Sequence, residues 1–187
     1  MDQLQELIKD CSRRQKKGLH FILASVVIWA LLLVIHITHL SIEQKNLLTF
    51  CCSAILFPLA WALSRVLKID FEGKGNPLTK AGIIFSVNQL LYILIAMWVF
   101  AAVPEKMLMV YAMIFGAHLM PFSWLYDSKS YLVFSIVIPI LALVVGLLYP
   151  PSVLAVLMVV VEAVFACCLF RECKGIGPAG DESASHG

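Results

Sequence analysis

Charge is scarce in this chain: 14% of its 187 residues are Asp, Glu, Lys or Arg, while 61% are hydrophobic. That balance, with a mean hydropathy of +0.91, excludes an ordinary water-soluble domain and makes lipid the solvent for most of the surface. Net charge is only +2, so the composition contains no electrostatic argument for nucleic acid as a partner. The six cysteines, Cys11, Cys51, Cys52, Cys167, Cys168 and Cys173, include no CxxC pair. Membrane thiol oxidation is left without its motif, and buried thiols are the simpler reading. HExxH and GxS are missing too, which removes the signatures of intramembrane zinc and serine proteases, and the enzyme question leans to no. The stretch DFEGKGNPLTK, residues 70–80, has glycines and a lysine but not the GxxxxGK[ST] spacing of a phosphate loop. No cofactor is implied.

What the chain has is long apolar runs. Six of them, at about 18–40, 47–69, 81–103, 107–126, 131–149 and 153–170, are each long enough to cross a bilayer as a helix. The expected fold is all-α: a polytopic bundle of six transmembrane helices within residues 18–172. Short polar links force antiparallel hairpins between neighbours. Ahead of the bundle, residues 1–17 place Leu4, Leu7, Ile8 and Cys11 at helical spacing, with Glu6–Lys9 and Asp10–Arg14 as ion pairs. A short amphipathic helix on the membrane surface fits this pattern better than a signal peptide, because the leader carries acids and shows no cleavage site. Asn76 is placed to cap the third span, with Pro77 as its first helical residue. The Gly-, Ser- and Ala-rich tail, residues 173–187, is expected to be a disordered cytoplasmic segment.

Lys and Arg divide unevenly between the two sides this topology creates. Twelve of the fourteen fall on the side of the termini and only Lys45 and Lys106 on the other, which predicts cytoplasmic N- and C-termini. A faint echo links Phe57-Pro58-Leu59-Ala60-Trp61 in the second span to Met120-Pro121-Phe122-Ser123-Trp124 in the fourth; because Pro and Trp are common in membrane helices, chance explains it better than a duplicated hairpin. Trp61, Trp98, Trp124, Tyr126, Tyr131 and Tyr149 sit toward span ends, as an aromatic belt does. Arg65 is placed to snorkel to headgroups.

Polar residues inside the spans are the candidates for function. Glu162 lies about ten residues from either end of the sixth span, where an ionised carboxylate costs about 3 kcal/mol or more. It is either a proton-carrying carboxyl or a neutral one that only fixes packing. His118 lies at similar depth in the fourth span, two turns from Tyr111, beside an Ala112/Gly116 edge where another helix can approach closely. Pro121 cannot donate to the carbonyl of Ala117. The third span adds Asn88, Gln89 and Tyr92 at comparable depth. A midplane site of Glu162, His118, Asn88 and Gln89, with Tyr92 and Tyr111 behind it, is how transporters and buried ligand sites are built; the same groups also glue membrane helices together. On the opposite side His36, His39, Cys51 and Cys52 have the donor types for zinc or copper, without a recognised ligand motif.

GNPLTKAG, HLMPFSW and LLYPP resemble segments of a family of small six-span bacterial membrane proteins of unknown function. The resemblance covers most of the six spans and implies a multi-pass protein of the bacterial inner membrane, without a mechanism or site residues. Two expectations follow from the residues. One is a transporter-like or small-molecule-binding protein, proton-coupled through Glu162, with an unidentified small molecule or ion as ligand. The other is a non-catalytic membrane partner or assembly subunit. Six spans of this length enclose only a small volume, so a homo-oligomer that completes a pathway is open.

Overall fold

The computed structural model describes residues 2–71 and 75–175. Most of the 173–187 tail therefore lies outside the described residues. Among the described residues helix is the only regular secondary structure, with no strand. Six stretches are long and apolar enough to cross a membrane: Lys16–Ile37, Ile42–Val66, Leu78–Ala102, Pro104–Leu125, Lys129–Leu148 and Pro151–Lys174. The protein is a multi-pass helical membrane protein.

The helices are α1 (Asp2–Arg14), α2 (Leu19–Ile37), α3 (Ile42–Ala54), α4 (Leu56–Val66), α5 (Leu78–Ala102), α6 (Met107–His118), α7 (Met120–Leu125), α8 (Lys129–Leu148) and α9 (Pro151–Lys174). Two of the spans are broken by proline chemistry. A proline supplies no N–H to the carbonyl four residues back and its ring crowds that turn. The breaks accordingly fall at Ile55, just ahead of Pro58, and at Leu119, just ahead of Pro121. Pro139 lies inside α8 without ending it.

The second span starts five residues earlier than hydropathy alone places it. Ser41 and Gln44 form a capping box, each side chain bonding the other's backbone N–H, so the polar stretch 42–46 is the first turn of a helix and not a connector. Asn76 does cap α5: its Oδ1 accepts from Leu78 N at 2.9 Å.

α2 packs most extensively along α9, and α6 along α8. In the latter seam Gly116 is the contact point, since a Cβ there would lie 2.5 Å from Pro139 Cδ; the small-residue edge of Ala112 and Gly116 is where α8 sits. α1 does not lie free on a surface. Its Ile8, Cys11 and Ser12 are buried, Ser12 Oγ donates to Tyr126 O at 2.6 Å, and Asn76 Nδ2 donates to Leu7 O and Asp10 Oδ2. The helix closes the end of the bundle with its apolar side inward. The Asp10–Arg14 pair forms at 2.8 Å.

Candidate functional site

α2 and α9 run antiparallel, and small residues let them approach. Ala24 and Ala155 are fully buried and Ala166 nearly so. At mid-length this seam holds Glu162, 0% exposed, with its Oε2 against Ser25 Oγ at 2.5 Å. Ser25 Oγ also lies 2.8 Å from Ile22 O. A hydroxyl has one hydrogen. When it donates to the Ile22 carbonyl, the carboxyl must supply the other hydrogen, so both bonds are complete only with a protonated Glu162. The second oxygen, Oε1, has no partner. The seam thus pairs one carboxyl oxygen with a serine hydroxyl and leaves the other oxygen as an unused acceptor.

The residues matched to Glu162 by depth do not join it. His118, at the end of α6, is half-buried between the rings of Phe115 and Phe122, at 5.4 and 6.1 Å, with Nδ1 unpartnered. Asn88 is exposed on the outside of α5 and donates to Tyr92 Oη at 3.0 Å; Gln89, beside it, is half-buried. Tyr111 bonds Ser53 Oγ at 2.7 Å and sets its ring 5.9 Å from Trp29. No hydrogen bond links Glu162 to any of these among the described residues.

Toward the far end of the bundle, buried polar groups continue from Tyr111 and Ser53. Ser53 Oγ donates to Thr49 O, and Thr49 Oγ1 faces His36 Nε2 at 3.4 Å. Lys45 Nζ caps the His36 carbonyl at 3.2 Å. Asn46, fully buried, donates to Pro104 O and leaves its Oδ1 unpaired. His39 and Cys51 are exposed, and no group of three or more His, Cys, Asp or Glu is placed to hold a metal among the described residues.

At the other end a second acid, Glu172, gathers a knot. Its oxygens accept from Ser128 Oγ at 2.7 Å, Ser130 N at 2.8 Å, Ser130 Oγ at 2.6 Å and Lys17 Nζ at 3.0 Å. Lys17 also donates to Asp127 O at 2.9 Å. These bonds, with those of Tyr126 Oη to Gln15 and Tyr131 Oη to Lys17 O, hold an unusual turn. Lys16, Lys17 and Gly18 are all left-handed, with φ of 44°, 50° and 69°, at roughly 1–2 kcal/mol for each non-glycine residue. A Cβ on Gly18 would stand 3.0 Å from Tyr131 Oη. Tyr126 and Tyr131 are therefore buried and do not belong to an aromatic belt, unlike the exposed Trp61, Trp98, Trp124 and Tyr149. Because Lys17 begins the first span and Glu172 ends the last, both termini leave from one end of the bundle.

Ser25, Lys17, Glu172 and His20 carry no motif and were not singled out by sequence. His20 is 2% exposed with both ring nitrogens unpartnered, packed on Phe21 and Phe71. The only signal for Ser25 is its helical register with Trp29, Leu32 and His36, all buried. All six cysteines are free. Cys51 and Cys167 are exposed and Cys52, Cys168 and Cys173 half-buried, so only Cys11 is a fully buried thiol.

The sequence profile of a family of unknown function, DUF7010, matches residues 4–172. No curated protein and no solved structure matches the chain.

Proposed function

The chain belongs to that family of unknown function, and we propose that within it the protein is a small transporter-like membrane protein that carries a proton on Glu162. The observation that supports this is the carboxyl's position: fully buried at mid-span, hydrogen-bonded to Ser25 through one oxygen, with the other free. Intramembrane acids are costly and mark proton relays and substrate pathways. Two further polar groups lie toward the ends of the bundle, one from His36 through Thr49 and Ser53 to Tyr111 and one between Lys17 and Glu172, separate from Glu162 in their hydrogen bonds. The reading puts both termini in the cytoplasm, supported by twelve of fourteen basic residues lying on their side, and puts the chain in the bacterial inner membrane, as the resemblance of GNPLTKAG, HLMPFSW and LLYPP implies. Fusion of a periplasm-active reporter to either terminus tests the orientation, which a signal from the fusions would overturn.

Infrared difference spectroscopy of the protein in bilayers tests the proton. A carboxylic C=O band should be present, vanish in Glu162→Gln, and shift when H2O is exchanged for D2O. The variant should stay folded and lose any transport. A band that never exchanges would make Glu162 a sealed structural acid. That outcome would favour the second reading, a membrane partner or assembly subunit, which draws its own support from Asn88 and Tyr92 facing outward on α5.

A further inference from the structure

α5 is the least enclosed span, with 11% of its most apolar window buried. Its outward side carries Ile84, Asn88, Leu91, Ile95 and Trp98, all exposed. Their spacing of 4, 3, 4 and 3 residues is that of a coiled-coil seam, whose side chains interlock when two helices cross at a shallow angle. One residue of the seam is polar. Asn88 uses one amide hydrogen on Tyr92 Oη; its carbonyl oxygen and second amide hydrogen have no partner among the described residues. An amide placed in hydrocarbon with a free donor and a free acceptor is half of a hydrogen-bonded pair.

We propose that this seam binds a second copy of the chain, forming a parallel dimer in which Asn88 of each copy pairs with Asn88 of the other. The occupant follows from symmetry. The uneven distribution of Lys and Arg inserts every copy the same way, so a two-fold axis must run along the membrane normal, and equal residues meet at equal depth. An asparagine is self-complementary there, offering an N–H and a C=O to its twin. A single polar residue in an apolar seam also sets register. The neighbouring exposed stripe, which includes Leu90, Leu94 and Met97, is purely apolar and lacks that device. The dimer does not depend on whether Glu162 carries a proton.

The test uses the full chain in bilayers, with the six native cysteines replaced and single cysteines introduced. Asn88→Cys, Leu91→Cys and Ile95→Cys should form disulfide dimers under mild oxidation, while Leu90→Cys and Leu94→Cys should not. In nanodiscs of varied lipid content the unmodified protein should show the mass of two chains. Asn88→Leu, a surface change that leaves the interior untouched, should weaken the dimer about fivefold or more, in line with interhelical polar bonds in membranes. Cross-linking along the Leu90 and Leu94 stripe would overturn the proposal, as would a monomer at every protein-to-lipid ratio. A dimer indifferent to Asn88→Leu would equally reject the asparagine pairing.

Discussion

Replacing Ser25 by alanine separates what the hydroxyl does from what the carboxyl needs. Ser25 bridges Ile22 O and Glu162 Oε2, and Glu162 already has one unpaired oxygen. Without the hydroxyl neither carboxyl oxygen has a partner, and a buried polar group so orphaned costs about 1–3 kcal/mol. For a chain of this size that lowers the melting temperature by roughly 2–4 °C per kcal/mol. The reverse deletion should be milder. In Glu162→Leu the serine keeps its bond to Ile22 O, and the double variant Ser25→Ala/Glu162→Leu leaves no unpaired group, which makes it close to neutral. Thermal unfolding of the four proteins in nanodiscs, followed by circular dichroism, gives the coupling between the two sites. The expected order is a clear loss for Ser25→Ala and recovery in the double variant. A Ser25→Ala protein as stable as the parent would refute the hydrogen count from which the protonated carboxyl is inferred.

Four further outcomes test the frame around that pair. Gly116→Ala would put a methyl 2.5 Å from the rigid Pro139 ring and 2.7 Å from Ile138 Cγ2, a loss of about 1–3 kcal/mol from overpacking; Gly82→Ala, which meets only the flexible tip of Leu125 at 3.2 Å, should be neutral or stabilising in the same melts. Glu172→Gln leaves the Lys17 ammonium without its counter-charge in a part-buried pair, at about 1–3 kcal/mol for a partner left unsatisfied. Adding Lys17→Met should recover part of that loss, and a double variant worse than the single would contradict the pairing. At the end cap, the Arg14 guanidinium hydrogen-bonded to Asp10 holds its carboxyl below the usual 3.8. The stability it contributes is present above pH 3.8 and lost as pH falls through the depressed value. Hydrogen exchange in α1, corrected for intrinsic rates, should therefore quicken only in that acidic window, while the Cys11 thiol, pushed up to about 11 by burial, should resist alkylation at pH 8.

The six spans were legible because hydrocarbon demands length and apolarity, and both can be counted along a chain. The breaks at Ile55 and Leu119 were legible from Pro58 and Pro121. Rotation was not. A helix apolar on all sides gives no hydrophobic stripe to say which face turns inward, and lipid offers no driving force to sort the faces. Depth alone therefore matched Asn88 with Glu162, although α5 turns Asn88 outward. The true partner, Ser25, is one small hydroxyl among nineteen helical residues of α2. Buried Tyr126 and Tyr131 were hidden for a related reason: a tyrosine near a span end looks the same whether its hydroxyl reaches a headgroup or the backbone of a captured turn.

The same seam also bears on how a proton could reach Glu162, because the two ends of α2 are not held alike. At the end with the termini, Glu172 collects four donors, Lys17 is buried, and two tyrosines tie down three consecutive left-handed residues. A charge-assisted knot of this kind resists opening, and the strained turn beneath it persists only because so many bonds determine it. At the far end the contacts of α2 are longer and include no ion pair among the described residues: His36 meets Thr49 at 3.4 Å, and Lys45 donates to the His36 carbonyl at 3.2 Å. The break at Ile55, two residues past Ser53, separates α3 from α4 at this end. The expected outcome is that the far end opens more readily than the end with the termini. Single cysteines make the difference measurable: Thr49→Cys should react with a charged thiol reagent added on the side away from the termini, and Ser128→Cys should stay protected from the terminal side. Reaction at position 128 with protection at 49 would reverse the assignment of the weaker end.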